Sequence, residues 1–221
     1  MTGRFITFEG GEGTGKSTQA GLLAEKLKAL CIGVQLTREP GGSVGAEIMR
    51  HVLLSGAAKP LGPDAEALLF AAARIDHLDM LIRPTLKRGG WVICDRFADS
   101  TRVYQGVLGN VDPKTIRALE RIVVGETKPD LTFVLDVPAE EGLRRASARR
   151  GTGAADRFEA ETLEFHQKLR QAFLGLADQE PDRCIVIDAT RPREQVADEI
   201  WRIVNERFDP ATAPIQLEGA V

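Results

Sequence analysis

The sequence has 221 residues, of which 43% are hydrophobic and 28% are charged. The chain is long enough for one large α/β domain or, alternatively, two small ones, and its composition is that of an ordinary soluble globular protein. The formal net charge is −3, so no global basic field points to a nucleic-acid polymer as a partner. Any site for an anion must therefore be built from local clusters of basic residues.

The amino terminus has no apolar stretch of signal-peptide length, and nowhere do about 18 uncharged apolar residues run together. We therefore expect a cytoplasmic protein that has no membrane partner. The three cysteines, Cys31, Cys94 and Cys184, are far apart, and two of them lie in strand-like runs. We expect all three to be reduced core residues rather than metal ligands or disulfide partners.

The segment 10–17, GGEGTGKS, follows an apolar run at 5–8 and fits the phosphate-loop pattern G-x-x-x-x-G-K-[ST] at every fixed position. Its glycines allow successive backbone N–H groups to face phosphates, Lys16 would reach the β- and γ-oxygens, and Ser17 would ligate Mg²⁺. A helix that starts near Gly15 would add its positive end. The predicted nucleoside triphosphate site comprises Gly10, Gly11, Glu12, Gly13, Thr14, Gly15, Lys16, Ser17 and Thr18.

Apolar runs of strand length alternate with longer helix-like stretches, which predicts a parallel sheet with crossover helices. The runs lie at about 4–9, 33–37, 91–94, 131–137 and 184–188. The last three are continuously apolar, as expected for strands that are covered on both faces. Together with the phosphate loop, this pattern predicts an α/β protein of the P-loop NTPase type. We expect a three-layer sandwich in which helices flank a five-stranded parallel sheet.

A long helical insert at 44–87 separates the second predicted strand from the third. It is broken by Gly56 and by the Pro-Leu-Gly-Pro segment at 60–63, and we interpret it as an added lid or a substrate platform.

Between the fourth and fifth predicted strands, four arginines precede a Gly-Thr-Gly stretch within the segment 144–153. Such a stretch is typical of a mobile loop, and we interpret 144–157 as a lid. We expect a single domain over 1–208 and a peripheral tail at 209–221, because the tail has no periodicity.

Two arginines lie at the ends of adjacent predicted strands, Arg38 after the second and Arg96 after the third. Ligands of open α/β sheets bind beyond the carboxyl ends of the strands, where the phosphate loop also lies. Because a guanidinium gives two parallel hydrogen bonds to phosphate oxygens, this pair is suited to hold a monophosphate opposite the triphosphate. The alternative is surface ion pairing, of Arg38 with Glu39 or Glu12 and of Arg96 with Asp95 or Asp99.

A phosphate loop alone does not separate a kinase from a switch. No Asp in the sequence is followed three residues later by Gly, as a GTPase switch requires. The segment 127–130, TKPD, matches the guanine-reading pattern [NT]-K-x-D, but it precedes its strand and lies on the wrong side of the sheet for a nucleotide. We interpret Pro129 as the entry to that strand.

Several segments recur in one order and at matching separations in a known family. They are the phosphate loop with Glu12, TREPGG at 37–42, Asp95-Arg96-Phe97, the segment from Ser100 to Tyr104-Gln105-Gly106, and the arginine-rich stretch before Asp156-Arg157-Phe158. In these segments the sequence resembles bacterial thymidylate kinases, over about residues 4–206. The resemblance implies transfer of the γ-phosphoryl group of ATP to dTMP with Mg²⁺, giving ADP and dTDP for dTTP synthesis. It also implies a homodimer.

The resemblance implies roles for individual residues. Thymine would stack on Phe70, and Arg74 would bond a base carbonyl from the same helix face. Periodicity alone would instead assign Phe70 to the core. Glu12 would receive the sugar 3′-hydroxyl, and Arg38 and Arg96 the acceptor phosphate. The residues expected to border the base and sugar are Ser100, Tyr104 and Gln105, with the Tyr104 ring leaving little room for a 2′-hydroxyl.

One subgroup of the family carries a catalytic arginine inside the phosphate loop, at the position of Gly13. The sequence resembles the other subgroup, in which the lid supplies this arginine, so we expect Arg149 or Arg150 to clamp the transferring group beside Lys16 and Arg96. The arginines at 144 and 145 are more simply interpreted as helix-surface partners of the glutamates at 140 and 141.

In the expected mechanism Ser17 lies on the metal, and Asp95 or Glu9 holds the water ligands of the metal. Two alternative functions stay open: a kinase for another nucleoside monophosphate, and a nucleotide-dependent switch or binding ATPase.

Overall fold

The centre of the structure, a computed structural model that describes residues 3–151 and 157–210, is a five-stranded sheet. The strands, all parallel, are β1 (Phe5–Glu9), β2 (Val34–Arg38), β3 (Trp91–Asp95), β4 (Leu131–Asp136) and β5 (Cys184–Asp188). Their spatial order is β2-β3-β1-β4-β5. The prediction of a parallel α/β sheet is confirmed. The strands could be predicted because strands that helices cover on both faces are continuously apolar.

Helices fill the segments between the strands. They are α1 (Lys16–Ala29), α2 (Val44–Leu54), α3 (Gly62–His77), α4 (Arg83–Lys87), α5 (Ala98–Thr101), α6 (Pro113–Val123), α7 (Ala139–Arg150), α8 (Leu163–Gln179) and α9 (Arg193–Phe208). A 3₁₀ turn (Lys59–Leu61) precedes α3, and π-helical turns at Leu78–Ile82 and Arg102–Leu108 continue α3 and α5. Within the two described ranges, none of these helices is both long and apolar enough to cross a bilayer.

Both faces of the sheet are packed, which gives the predicted three layers. The side chains of Ile6 and Phe8 lie in one cluster with apolar residues of α1 and α9. Phe5 lies in the opposite cluster with apolar residues of the α3–α4 region. This alternation within one short strand follows from the two-residue side-chain period of a β-strand.

The carboxyl ends of the strands meet at one edge and position the site. Arg38 pairs in register with Asp95, and Asp95 pairs with Phe8. The phosphate loop follows β1, and Arg96 follows β3, so the predicted triphosphate and monophosphate residues lie side by side. Asp130 lies at the opposite edge, where its carboxylate accepts a hydrogen bond from the Phe5 N–H at 2.7 Å.

The three cysteines are free, and two of them are buried as predicted. The prediction is wrong for Cys31, which is exposed in the turn after α1 and has a φ of 60°. Two predicted segments extend beyond the described residues: positions 152–156 of the lid and 211–221 of the tail lie outside them.

Candidate active site

The phosphate loop owes its curl to glycine. Gly10, Gly13 and Gly15 have φ values of 132°, 67° and 95°, a region that glycine adopts without steric cost. Helix α1 begins directly after the loop at Lys16, whose Nζ donates to the carbonyl oxygen of Gly11 at 2.5 Å. Burial, followed by the charge of Arg96, lowers the pKa of Lys16 to about 8. The loop therefore combines backbone N–H groups, a helix N-terminus and a buried amine at one place.

A cleft extends from this loop to the helical insert and brings most of the predicted site residues together. The predicted residues that line it are Glu12, Gly13, Gly15, Lys16, Ser17, Thr18, Arg38, Phe70, Arg74, Asp95, Arg96, Ser100, Tyr104, Gln105 and Arg149. Other predicted residues, Gly10, Gly11 and Thr14, face α8 and β4 on the far side of the loop.

Arg96 lies at the centre of the cleft. Its φ of 68° is unusual for a residue with a side chain and is typical of active sites. Its Nη2 donates to Glu12 Oε1 at 2.6 Å and its Nη1 to the Gly10 carbonyl oxygen at 3.0 Å. The guanidinium also lies 5.3 Å from the centroid of the Tyr104 ring. The guanidinium thus faces both the phosphate loop and the predicted sugar pocket.

Glu12 joins the two predicted ligand regions. Its Oε1 also accepts from the Tyr104 hydroxyl at 3.2 Å. Burial would raise the pKa of Glu12, but Arg96 and then Lys16 outweigh burial and lower this pKa to about 2. Glu12 is therefore ionised at neutral pH and available as an acceptor.

The surface ion pairs considered as alternatives for Arg38 and Arg96 do not form with the expected partners. Arg38 pairs with Glu47 at 3.0 Å, and both side chains are exposed. Arg96 pairs with Glu12 rather than with Asp95 or Asp99. Its guanidinium contacts the phosphate loop through Glu12 and the Gly10 carbonyl oxygen.

The helical insert supplies an aromatic wall. Phe70 is only half-buried and lines the cleft, whereas periodicity alone assigned it to the core. Phe158 lies between it and Tyr104, with ring centroids 6.2 Å from Phe70 and 5.1 Å from Tyr104. Sequence patterns assign no role to Phe158, and its place in the family-like segment at 156–158 is the only signal for one.

The two candidate lid arginines share one partner at the end of α7. Arg149 Nη2 lies 3.3 Å from Glu159 Oε1, and Arg150 Nη1 lies 2.6 Å from Glu159 Oε2. Arg149 lines the cleft and is 64% exposed, whereas Arg150 does not line it and is 26% exposed. The geometry therefore favours Arg149 as the residue that reaches a ligand.

The helix-surface pairing predicted for the neighbouring arginines is confirmed for one of the two glutamates. Arg144 and Arg145 both pair with Glu141 at 2.7 Å. Glu140 instead accepts from Gln167 at 2.7 Å.

Ser17 and Asp95 form the candidate metal position, because the Ser17 hydroxyl donates to the Asp95 carboxylate in the cleft. Among the described residues, no three His, Cys, Asp or Glu side chains cluster as a dedicated metal cage. One carboxylate and one hydroxyl fit Mg²⁺, which usually binds through one or two carboxylates, substrate phosphates and water.

Glu9, which is predicted to hold metal-bound water, does not line the cleft. Its carboxylate is fully buried and accepts from the Phe97 N–H at 2.8 Å, the Ser100 N–H at 3.2 Å and the Ser100 hydroxyl at 2.6 Å. Burial, followed by the charge of Asp99, raises the pKa of Glu9 to about 7. Glu9 therefore anchors the turn after Arg96 instead of facing the cleft.

Comparisons with known proteins agree with this geometry. The model of the family described as thymidylate kinase matches residues 8–200. A thymidylate kinase of Nitrobacter winogradskyi is 60% identical over 218 residues, which cover 99% of this chain and 95% of the relative. One of Bradyrhizobium diazoefficiens is 59% identical over 96% of this chain and 93% of its own length.

A solved structure is similar as well. The crystal structure of thymidylate kinase from Ehrlichia chaffeensis has a TM-score of 0.75 and 34% identity, with 92% of this chain and all of that chain covered. The P-loop NTPase type of fold is thereby confirmed. On the family match and the identity of these relatives, this chain belongs to the thymidylate kinase family.

Proposed function

We propose that this protein transfers the γ-phosphoryl group of ATP to dTMP and releases ADP and dTDP. One observation carries the proposal beyond family membership: a single cleft joins a phosphate loop to two strand-end arginines and an aromatic pocket. A triphosphate on the loop and a monophosphate on Arg38 and Arg96 would then face each other. This arrangement suits transfer between two phosphates.

The acceptor would lie along the cleft with its base between the rings of the aromatic wall. Phe70 and Phe158 offer apolar faces, and Arg74 lies one helical turn from Phe70. Glu12 would accept the sugar 3′-hydroxyl. The residues that would complete the sugar and base contacts are Ser100, Tyr104 and Gln105.

The proposed chemistry requires no general base. The second pKa of a phosphate monoester is near 6, so the acceptor oxygen is already anionic at neutral pH. Catalysis then consists of holding the two phosphates in line and neutralising the charge on the moving group. Lys16 and Arg96 would do this from within the cleft, and Arg149 or Arg150 would do so from the lid.

We include Mg²⁺ as the divalent cation, held by Ser17 and Asp95. When bound with ATP, it would neutralise charge on the β- and γ-oxygens. The part played by the protein is to keep the Ser17 hydroxyl and the Asp95 carboxylate adjacent, which the end of β3 and the start of α1 already do.

We also propose a homodimer and a single domain over 1–208. Helix α2 carries an exposed apolar stripe at four-residue intervals, in which Val44 is 85%, Ile48 65% and Val52 36% exposed. A stripe of this kind is typical of an interaction surface. Ile48→Glu should shift the particle mass measured by light scattering from dimer to monomer.

The three free cysteines favour a reducing compartment such as the cytoplasm.

A coupled ADP-release assay with ATP, Mg²⁺ and a panel of monophosphates tests the activity. Strong dependence on dTMP supports the proposal. A stronger response to another monophosphate would favour the alternative kinase. ATP turnover that is independent of every acceptor would favour a nucleotide-dependent switch or binding ATPase.

A further inference from the structure

A buried carboxylate connects two residues of α3 beside the base end of the cleft. Glu39 Oε2 accepts from Arg74 Nε at 2.7 Å, and Glu39 Oε1 lies 3.0 Å from His77 Nδ1. The side chains are buried, with exposures of 5% for Glu39, 5% for Arg74 and 0% for His77. The proposed chemistry assigns no task to Glu39 or His77.

The connection continues into β2. Thr37 Oγ1 lies 2.7 Å from His77 Nε2. With the ring proton on Nδ1, the imidazole donates to Glu39 and accepts from the Thr37 hydroxyl, so each polar atom of the series has a partner. We call the series Thr37–His77–Glu39–Arg74 the base relay.

The far side of the Arg74 guanidinium is fixed as well. Its Nη2 donates to the Phe97 carbonyl oxygen at 3.2 Å and to Thr101 Oγ1 at 3.1 Å. Within the described part of the chain, Nη1 forms no hydrogen bond, and Arg74 lines the cleft. Two of the three guanidinium nitrogens are thus committed to the protein, and Nη1 is left for a ligand.

The TREPGG segment at 37–42 packs closely against the base relay. Gly42 has a φ of +90°, and a Cβ atom on it would lie 2.4 Å from Thr37 Oγ1 and 2.5 Å from His77 Nε2. The same segment carries Arg38 between the two relay residues Thr37 and Glu39. It therefore sets the position of a phosphate-binding arginine and that of Arg74 together.

We propose that Glu39 and His77 are positioning residues that hold Arg74 for recognition of the acceptor base. The proposal rests on the proposed function, in which that base lies against Phe70 and Arg74. A buried arginine without a carboxylate partner would attract any phosphate in the cleft. By pairing with Arg74, Glu39 keeps the base end suited to an uncharged ring and leaves the acceptor phosphate to Arg38 and Arg96.

Two substitutions at His77 distinguish its hydrogen bond with Glu39 from its hydrogen bond with Thr37. In His77→Asn the amide nitrogen can take the place of Nδ1 and still donate to Glu39. In His77→Gln the longer amide reaches toward Thr37 and leaves Glu39 without that donor. Glu39→Gln removes the charge that pairs with Arg74. Glu180→Gln is a matched control, because Glu180 pairs with Arg102 and Arg183 away from the cleft.

The readout is kcat/KM for dTMP, dUMP and dCMP, together with KM for ATP and the melting temperature of each protein. We expect Glu39→Gln and His77→Gln to raise KM for dTMP by about 10- to 100-fold, the loss typical of a hydrogen bond to a charged group. Preference for dTMP over dCMP should fall, while KM for ATP stays unchanged. His77→Asn and Glu180→Gln should keep the preference of the wild type.

Unchanged preference in folded Glu39→Gln and His77→Gln, with an active wild type, would overturn the relay alone. If Glu39→Gln does not fold, the comparison of His77→Gln with His77→Asn still decides, since equal preference in these two variants also overturns the relay. Wild-type protein without dTMP-dependent ADP release would contradict the proposed function itself.

Discussion

A Cβ atom on Gly13 would lie 1.9 Å from the carbonyl oxygen of Gly142, in the first turn of α7. The reverse also holds, because a Cβ atom on Gly142 would lie 2.4 Å from the carbonyl oxygen of Glu12. The tip of the phosphate loop is therefore in backbone contact with the helix that carries Arg149 and Arg150. This contact leaves no room for an arginine inside the loop at position 13.

Substitution of Gly13 should disturb the loop. We expect Gly13→Ala to lower the free energy of unfolding by about 2 kcal/mol, because a side chain at a φ of +67° is strained and meets α7. KM for ATP should rise as the loop shifts. Chemical denaturation and steady-state kinetics measure the two effects.

Gly21→Ala is the matched control for Gly13→Ala. Gly21 lies in α1, and its Cβ would meet no atom within 4 Å. This substitution should leave KM for ATP unchanged and stabilise the helix by up to about 1 kcal/mol. Equal behaviour of the two variants would contradict the contact between the loop and α7.

Loss of the lid arginines should affect turnover far more than affinity for dTMP. Because a lid-delivered arginine contributes about 10³- to 10⁵-fold in rate, we expect Arg149→Ala to reduce kcat severely and Arg150→Ala to reduce it less. Arg144→Ala, which removes an exposed pair with Glu141, is the control. Near-normal kcat in the double variant with Arg149→Ala and Arg150→Ala would show that the lid arginines take no part in catalysis. Adding Gly13→Arg to the double variant should not restore activity.

Phe158 should contribute to acceptor binding, although sequence patterns assign it no role. We expect Phe158→Ala to raise KM for dTMP by about tenfold, since aromatic contacts with Phe70 and Tyr104 are lost. Phe208→Ala removes a similar aromatic pair with Trp91, with ring centroids 5.7 Å apart, outside the cleft. It should lower stability without changing KM. An unchanged KM in Phe158→Ala would show that the base does not touch this ring.

Buried Glu9 should make stability depend on pH. Its pKa is about 7 in the folded protein against 4.5 for an unperturbed group, so the folded state binds the proton more tightly. The protonated Glu9 therefore adds to the free energy of unfolding by about 3 kcal/mol. This addition is fully present below pH 4.5 and is lost as the pH rises through 7. Chemical denaturation across this range should show a shallower fall in Glu9→Gln than in the wild type. Identical slopes would mean that Glu9 does not titrate there.

The sequence predicts features that depend on near neighbours in the chain. The phosphate loop and the strands could be located because a fixed motif and continuous apolar runs determine them. Other features depend on residues that are distant in sequence, such as the pairing of Glu39 with His77 and the placing of Phe158 beside Tyr104. The pairing of Arg96 with Glu12 rather than with its neighbour Asp95 joins residues 84 positions apart, which no local pattern reveals.

Three arginines of the cleft already have a carboxylate partner: Arg96 pairs with Glu12, Arg74 with Glu39, and Arg149 with Glu159. Phosphate binding at Arg96 or Arg149 is therefore an exchange of anions, in which the ligand replaces or joins a side chain already in place. Such a site attracts distant polyanions only weakly, because the paired charges cancel beyond a few ångströms. Selection then depends on close fit, and bulk phosphates in the cell compete less than the number of arginines would suggest.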